Sequence, residues 1–203
     1  REMHDAYRVD KGGKPTFDRV MAGLDALKRH DVEWNALVTV NSANGDHGRR
    51  VYTFLRDELG ADFMQLIPIV EHAGGEQASH RSVAAAQYGR FLVDVFEEWA
   101  RHDVGDVFVQ MFDTSLAHWM GMHQAGMCVH ARTCGDALAL EHNGDLYSCD
   151  HYVDPEYLLG NITAGRTLLQ LVDSDQQRVF GQAKLTTLPA YCRSCDVRFA
   201  CNG

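Results

Sequence analysis

All six cysteines of this 203-residue chain fall in its last 76 residues, at spacings regular enough to restrict what that part can become. Cys134 and Cys149 bracket Gly144 in a C-x9-G-x4-C run, and Cys192, Cys195 and Cys201 read C-x2-C-x5-C. Cys128 stands six residues before the first group. Such thiols can pair as disulfides, hold metal, or serve as small buried side chains. Disulfide frameworks belong to short secreted chains that cannot build a core. Here 45% of the residues are hydrophobic, enough for a substantial core without staples. The start, REMHDAYRVDKGGKPTF, is charged and has no apolar stretch of the kind a secretory leader carries. No run approaches the roughly 18 apolar residues of a membrane span. These features point to a reducing, cytoplasmic setting in which thiols are available to metal. The formal charge of −9 opposes a general affinity for nucleic acid or anionic membranes, since either favours a basic face. A polypeptide partner remains compatible with it.

The first 125 residues alternate between two periodicities. Thr16 stands where it would cap a helix carrying Phe17, Val20, Met21, Leu24 and Leu27 at 3.6-residue spacing. VEWNALVTVN then reads as a strand by its β-branched content. A helix around Arg49 to Leu59, with Val51, Phe54 and Leu55 inward, precedes an apolar strand from Phe63 to Val70. A long helix from about Ser82 to Arg101 presents Tyr88, Phe91, Leu92, Val95, Phe96 and Trp99. VFVQMF, from Val107 to Phe112, is expected as a strand and SLAHWMGMH as a short helix. Strands that alternate with helices and are buried on both faces predict a parallel α/β sheet or barrel. With three strands, and none before the first helix, the expectation is a piece of a longer enzyme with preceding βα units. The polar loop HAGGEQASHRS follows the C-terminal end of a strand, where α/β folds place ligand loops.

After Ala125 the character changes. LALEHNGDLYSC is two short alternating segments joined at Asn143-Gly144, a hairpin signal that predicts a type I′ turn with φ > 0 at both central residues. The hairpin would return Cys149 toward Cys134. LLGNI is read as a tight connection, RTLLQLV and QQRVFGQAK as short helical pieces, and LPAYCRSCDVRFACNG as a loop-rich end.

Zinc and iron-sulfur clusters both take thiolates in fours, so Cys192-x2-Cys195 alone suits either. The six cysteines together supply more ligands than one zinc requires, and two multinuclear sites account for the surplus. Their pattern resembles the SPASM signature that follows the core domain in a class of radical S-adenosylmethionine enzymes. Cys128, the run SCDHYV and HDAYR near the start carry a closer resemblance to anaerobic sulfatase-maturating enzymes.

That resemblance implies the C-terminal portion of a (β/α)6 radical-SAM barrel over residues 1–125 and a SPASM domain with a β-hairpin over 126–203. It implies two auxiliary [4Fe-4S] clusters, one held by Cys128, Cys134 and Cys149, the other by Cys192, Cys195 and Cys201. Each set would be completed by a cysteine beyond this sequence. S-adenosylmethionine would be contacted by Arg8, whose guanidinium fork suits a planar carboxylate, and by the Val70 backbone, at the adenine. Asp150 would be the general base that deprotonates a cysteine or serine side chain of a sulfatase. A 5′-deoxyadenosyl radical would abstract a β-hydrogen, and 3-oxoalanine (formylglycine) would result. The expected partners are an unfolded sulfatase polypeptide and an electron donor such as flavodoxin or ferredoxin, acting on a monomer. No cysteine precedes Cys128, so the C-x3-C-x2-C loop of the radical-generating cluster is expected in a preceding part of the enzyme. The rival expectations are another SPASM peptide-modifying enzyme, forming thioether or carbon-carbon crosslinks, and a non-catalytic zinc-binding module.

Overall fold

Helix-strand alternation in the first half becomes a three-stranded parallel sheet in the computed structural model, which describes residues 1–71, 73, 74, 77–122 and 126–203. The chain divides into two compact units, Arg1–Phe112 and Asp113–Gly203. In the first, a short α1 (Glu2–Asp5) and α2 (Phe17–Arg29) precede β1 (Ala36–Val40). Then follow α3 (Gly48–Thr53) with a π-helical turn at Phe54–Glu58, β2 (Phe63–Pro68), α4 (Ala85–His102) and β3 (Phe108–Val109). The strands lie in the order β1-β2-β3, with Ala36 opposite Met64 and Phe63 opposite Phe108.

Thr16 is the N-cap of α2, but its hydroxyl donates to the Arg8 carbonyl at 2.7 Å. The capping function falls to Asp5, whose Oδ1 accepts the Thr16 and Phe17 amides at 3.1 and 3.0 Å. Burial works to raise the Asp5 pKa, yet His4 and these amides hold it below the usual carboxylate range.

Val40, Met64 and Val109 of the strands meet Phe91, Val95 and Trp99 of α4 in the core. Two of the expected inward residues differ. Tyr52, not Phe54, is the fully buried side chain of the α3 region, and its hydroxyl donates to Asp103 at 2.7 Å. Phe96 is 48% exposed. The expected strand over Val107–Phe112 is also shorter, because Gln110 already begins α5 (Gln110–Trp119). Helical geometry turns Phe112 back onto α4, its ring centroid 5.3 Å from Phe96 and 5.4 Å from Trp99, and this packing overrides strand propensity.

The second unit holds an antiparallel sheet of β4 (Ala139–Leu140), β5 (Asp145–Tyr147) and β6 (Leu158–Asn161). Then come α6 (Leu168–Val172), α7 (Asp175–Thr186), α8 (Ala190–Arg193) and α9 (Arg198–Cys201). The predicted hairpin is present with Leu140 opposite Leu146. Its turn is not type I′: Gly144 has φ 90° and Asn143 is not in the positive-φ region. The Gly144 amide donates to the Glu141 carbonyl at 2.9 Å, a turn that one left-handed glycine closes. LLGNI is a strand, β6, rather than a connection. Gly160 within it leaves room for the Leu171 side chain, which a Cβ would meet at 2.9 Å. Among the described residues no helix is long and apolar enough to cross a membrane.

Helix α3 approaches α4 through Gly48, where a Cβ would collide with the Phe91 carbonyl oxygen and stand 2.9 Å from Asp94 Cβ. Gly48→Ala is therefore expected to destabilise the protein by about 1–3 kcal/mol, read as a lower urea midpoint with unchanged slope. An unchanged midpoint would contradict this packing.

Candidate functional site

Two places gather the residues singled out in the sequence. The first is the C-terminal edge of the parallel sheet, where α/β folds bind ligands. Ser42, two residues beyond β1, donates from its hydroxyl to the His80 carbonyl at 2.8 Å, and its amide donates to the Arg81 carbonyl at 3.1 Å. The Tyr7 hydroxyl stands 2.9 Å from Ser42 Oγ, and its ring lies edge-on to His80. This anchors the HDAYR segment at the strand ends. Arg8 is exposed, and among the described residues its guanidinium makes no hydrogen bond or ion pair. Val70 is 67% exposed just past β2, so it is not the core valine a strand residue could have been. Both side chains are available at this edge. His72, Gly75 and Glu76 of the expected ligand loop lie outside the described residues, as does Ala125, the expected domain boundary.

The second place is the cysteine-bearing unit. Cys128 opens a 3-10 turn, Cys128–His130, and is exposed. Cys134 and Cys149 are half-buried, on the segments that enter and leave the β4–β5 hairpin. Near the hairpin's base the Asp150 amide donates to the Ala137 carbonyl at 3.0 Å. Burial pushes the Cys149 thiol up, an effect that Asp150 and Cys134 reinforce and the His151 amide opposes. The thiol of Cys149 donates to Asp150 Oδ1 at 3.4 Å. The Asp150 carboxylate is 58% exposed and lies 3.4 Å from His151 Nδ1. A fixed backbone thus presents an acceptor to solvent immediately beside a thiol.

Cys192 lies in α8 and Cys201 in α9, with Cys195 in the turn between them. The Cys195 amide donates to the Cys192 carbonyl at 3.3 Å, and Arg198 N–H to the Cys195 carbonyl at 3.2 Å. Helix α9 is held by buried His118, whose Nδ1 donates to the Ala200 carbonyl at 2.7 Å. Asn202, in the left-handed conformation that ends α9, donates to the His130 carbonyl at 2.8 Å. The turn bearing Cys128 and the helix bearing Cys201 are joined in this way. His118 and Asn202 were not singled out in the sequence, because neither carries a spacing signal.

Ligands about 2.3 Å from a tetrahedral zinc stand about 3.8 Å from one another. Among the described residues, the one group of three or more His, Cys, Asp or Glu whose ligand atoms all lie within 4.8 Å is Cys149, Asp150 and His151. These are consecutive residues of one exposed turn, not three thiols. Neither cysteine set brings all three of its thiols within 4.8 Å of one another. Among the described residues, buried Ser148 Oγ, Gln177 Oε1 and His130 Nδ1 find no hydrogen-bond partner. Ser148 and His130 adjoin the Cys149 and Cys128 segments, where a cluster's sulfurs can engage polar groups.

Residues 128–196 match the model of SPASM, described as an iron-sulfur cluster-binding domain. Along its whole length the chain is similar to curated anaerobic sulfatase-maturating enzymes. It is 44% identical to the serine-type enzyme of Bacteroides thetaiotaomicron, over all of this chain and 52% of that one. It is 34% identical to the serine-type enzyme of Klebsiella pneumoniae, over 99% of this chain and 50% of that one. The solved structure of native anSMEcpe with bound AdoMet and the Cp18Cys peptide superposes with a TM-score of 0.86 at 26% identity. That match covers 98% of this chain and 55% of the other. The chain spans about half the length of the curated relatives it matches. Protein purified without oxygen is expected to contain iron and acid-labile sulfide. Zinc with neither would contradict the likeness to an iron-sulfur cluster-binding domain.

Proposed function

We infer from this kinship that the chain belongs to an anaerobic sulfatase-maturating enzyme, a radical S-adenosylmethionine oxidoreductase that converts a cysteine or serine of a sulfatase to 3-oxoalanine. In this reading, residues up to 125 are the C-terminal portion of a radical-SAM barrel and those from 126 are the SPASM domain. Cys128, Cys134 and Cys149 contribute to one auxiliary [4Fe-4S] cluster, and Cys192, Cys195 and Cys201 to the other. Arg8 and the Val70 backbone take S-adenosylmethionine at the exposed sheet edge, where Tyr7 and Ser42 fix the HDAYR segment. The cofactors supply the one-electron chemistry that organic side chains cannot perform.

The chain's own part is to orient and to move a proton. Oxidation of the target side chain requires the loss of a hydrogen atom, a proton and an electron. Asp150 takes the proton: its carboxylate is exposed, its backbone is tied to Ala137, and a base needs reach before it needs a tuned pKa. This placement, next to a candidate cluster ligand, is the observation that carries the reading. The substrate is an extended sulfatase peptide, in keeping with the peptide held by anSMEcpe; the auxiliary clusters would take up the electron it loses, and a protein of flavodoxin or ferredoxin type is the enzyme's electron donor. The enzyme works as a monomer.

Asp150→Asn in the reconstituted enzyme is expected to reduce 3-oxoalanine formation about 10²- to 10⁴-fold, with iron content unchanged. Mass spectrometry of a sulfatase peptide measures it. Undiminished product would contradict the assignment, and a thioether or carbon-carbon crosslink in place of the aldehyde would favour the other SPASM chemistries.

A further inference from the structure

Helix α7 carries almost no apolar stripe, yet one of its faces is buried. Gln177 is 5% exposed, Gly181 is also buried, and Lys184 is half-buried. Spaced i, i+4 and i+7, the three stand above one another on one side of the helix. Between them they are bonded to all three stretches of cysteine-bearing backbone. Gln177 Nε2 donates to the Gly135 carbonyl at 2.9 Å and to the Ser148 carbonyl at 3.2 Å, next to Cys134 and Cys149. The Gly181 carbonyl accepts the Cys134 amide at 3.0 Å. Lys184 Nζ donates to the Val129 carbonyl at 2.6 Å and to the Ala131 carbonyl at 2.7 Å, on the turn that begins at Cys128.

Cys128, Cys134 and Cys149 are separated by up to 20 residues of intervening chain. Among the described residues, no hydrogen bond between their own segments joins all three. The polar face of α7 does so, because it supplies donors and an acceptor to backbone groups of all three segments. Glycine at 181 is required for the approach: a Cβ there would stand 2.6 Å from the Cys134 carbonyl oxygen, closer than van der Waals contact permits. The Ser174 hydroxyl accepts the Gln177 amide at 3.3 Å and so caps the end from which the stripe starts.

We propose that the Gln177–Gly181–Lys184 face of α7 is the template that gathers Cys128, Cys134 and Cys149 for one cluster, with the Lys184 ammonium as its nearby fixed cation. The three are positioning residues and bind no iron themselves. The proposal rests on the cluster reading given above, but its geometric part exists without metal. A cation held beside an iron-sulfur centre favours the reduced, more negative state and raises the midpoint potential.

The test compares wild type with Gln177→Leu, Gly181→Ala and Lys184→Met in two states of the protein. In metal-free protein, amide exchange by mass spectrometry over residues 128–150 is expected to be about tenfold faster in Gln177→Leu and Gly181→Ala. In the anaerobically reconstituted enzyme, Gly181→Ala is expected to lose about four irons per chain, one [4Fe-4S] cluster. Lys184→Met keeps its iron but shifts the midpoint of one cluster to more negative potential in an EPR-monitored titration. Wild-type exchange rates in Gln177→Leu and Gly181→Ala would overturn the template, and an unmoved midpoint in Lys184→Met would overturn the role of the cation. A wild-type protein without iron would sink the cluster reading alone, since the exchange comparison needs no metal.

Discussion

The second unit depends on the close approach of the Cys134 backbone to Gly181. The Cys134 amide is bonded to the Gly181 carbonyl, and the Cys134 carbonyl occupies the space where any larger residue would put its Cβ. Thiolates repel one another and are expensive to hold in apolar surroundings, so a site built from them needs its backbone ordered by other groups. Here hydrogen bonds supply that order, beside the packing of Phe180 of α7 on Tyr152 and Tyr157. The hydrophobic cluster of this unit, Leu146, Leu159 and Leu171, holds the sheet and α6, whereas the cysteine segments lean on the polar face of α7.

The first unit works on the opposite principle. Its sheet and α4 share an apolar core in which Trp99, the largest member, still satisfies its indole by donating to the Val107 carbonyl at 2.7 Å. A rigid core of this kind leaves the strand ends free to carry polar chemistry. Tyr7, Ser42 and His80 form a small network there, while Arg8 and Val70 remain exposed. One unit thus leaves polar and charged side chains at its strand ends, while the other carries the six cysteines.

Much of this was legible in the sequence because periodicity reports apolar burial. The α4 stripe, the β1 and β2 strands and the hairpin all announce themselves that way, and the cysteine spacing points to metal directly. What escaped reading was organised by other forces. Helix α7 turns Gln177 and Gly181 inward and leaves Val179 70% exposed, so a search for apolar faces passes over it. Strand β6 was hidden by Gly160, which reads as a turn residue and serves as a seat for Leu171. The hairpin turn was placed correctly at Asn143-Gly144 but assigned the wrong type, since one left-handed residue suffices when the Glu141 carbonyl accepts the Gly144 amide. At the end of β2, Val70 was ambiguous between core and surface; the strand stops at Pro68.

The central claim is that six cysteines are divided three and three between two separate iron-sulfur centres. A crystal structure of the anaerobically prepared enzyme, phased on anomalous scattering at the iron edge, tests this most directly. The account predicts two distinct iron peaks, one bounded by Cys128, Cys134 and Cys149, the other by Cys192, Cys195 and Cys201. A single peak shared by cysteines of both sets, or a peak at the zinc edge instead, would contradict it.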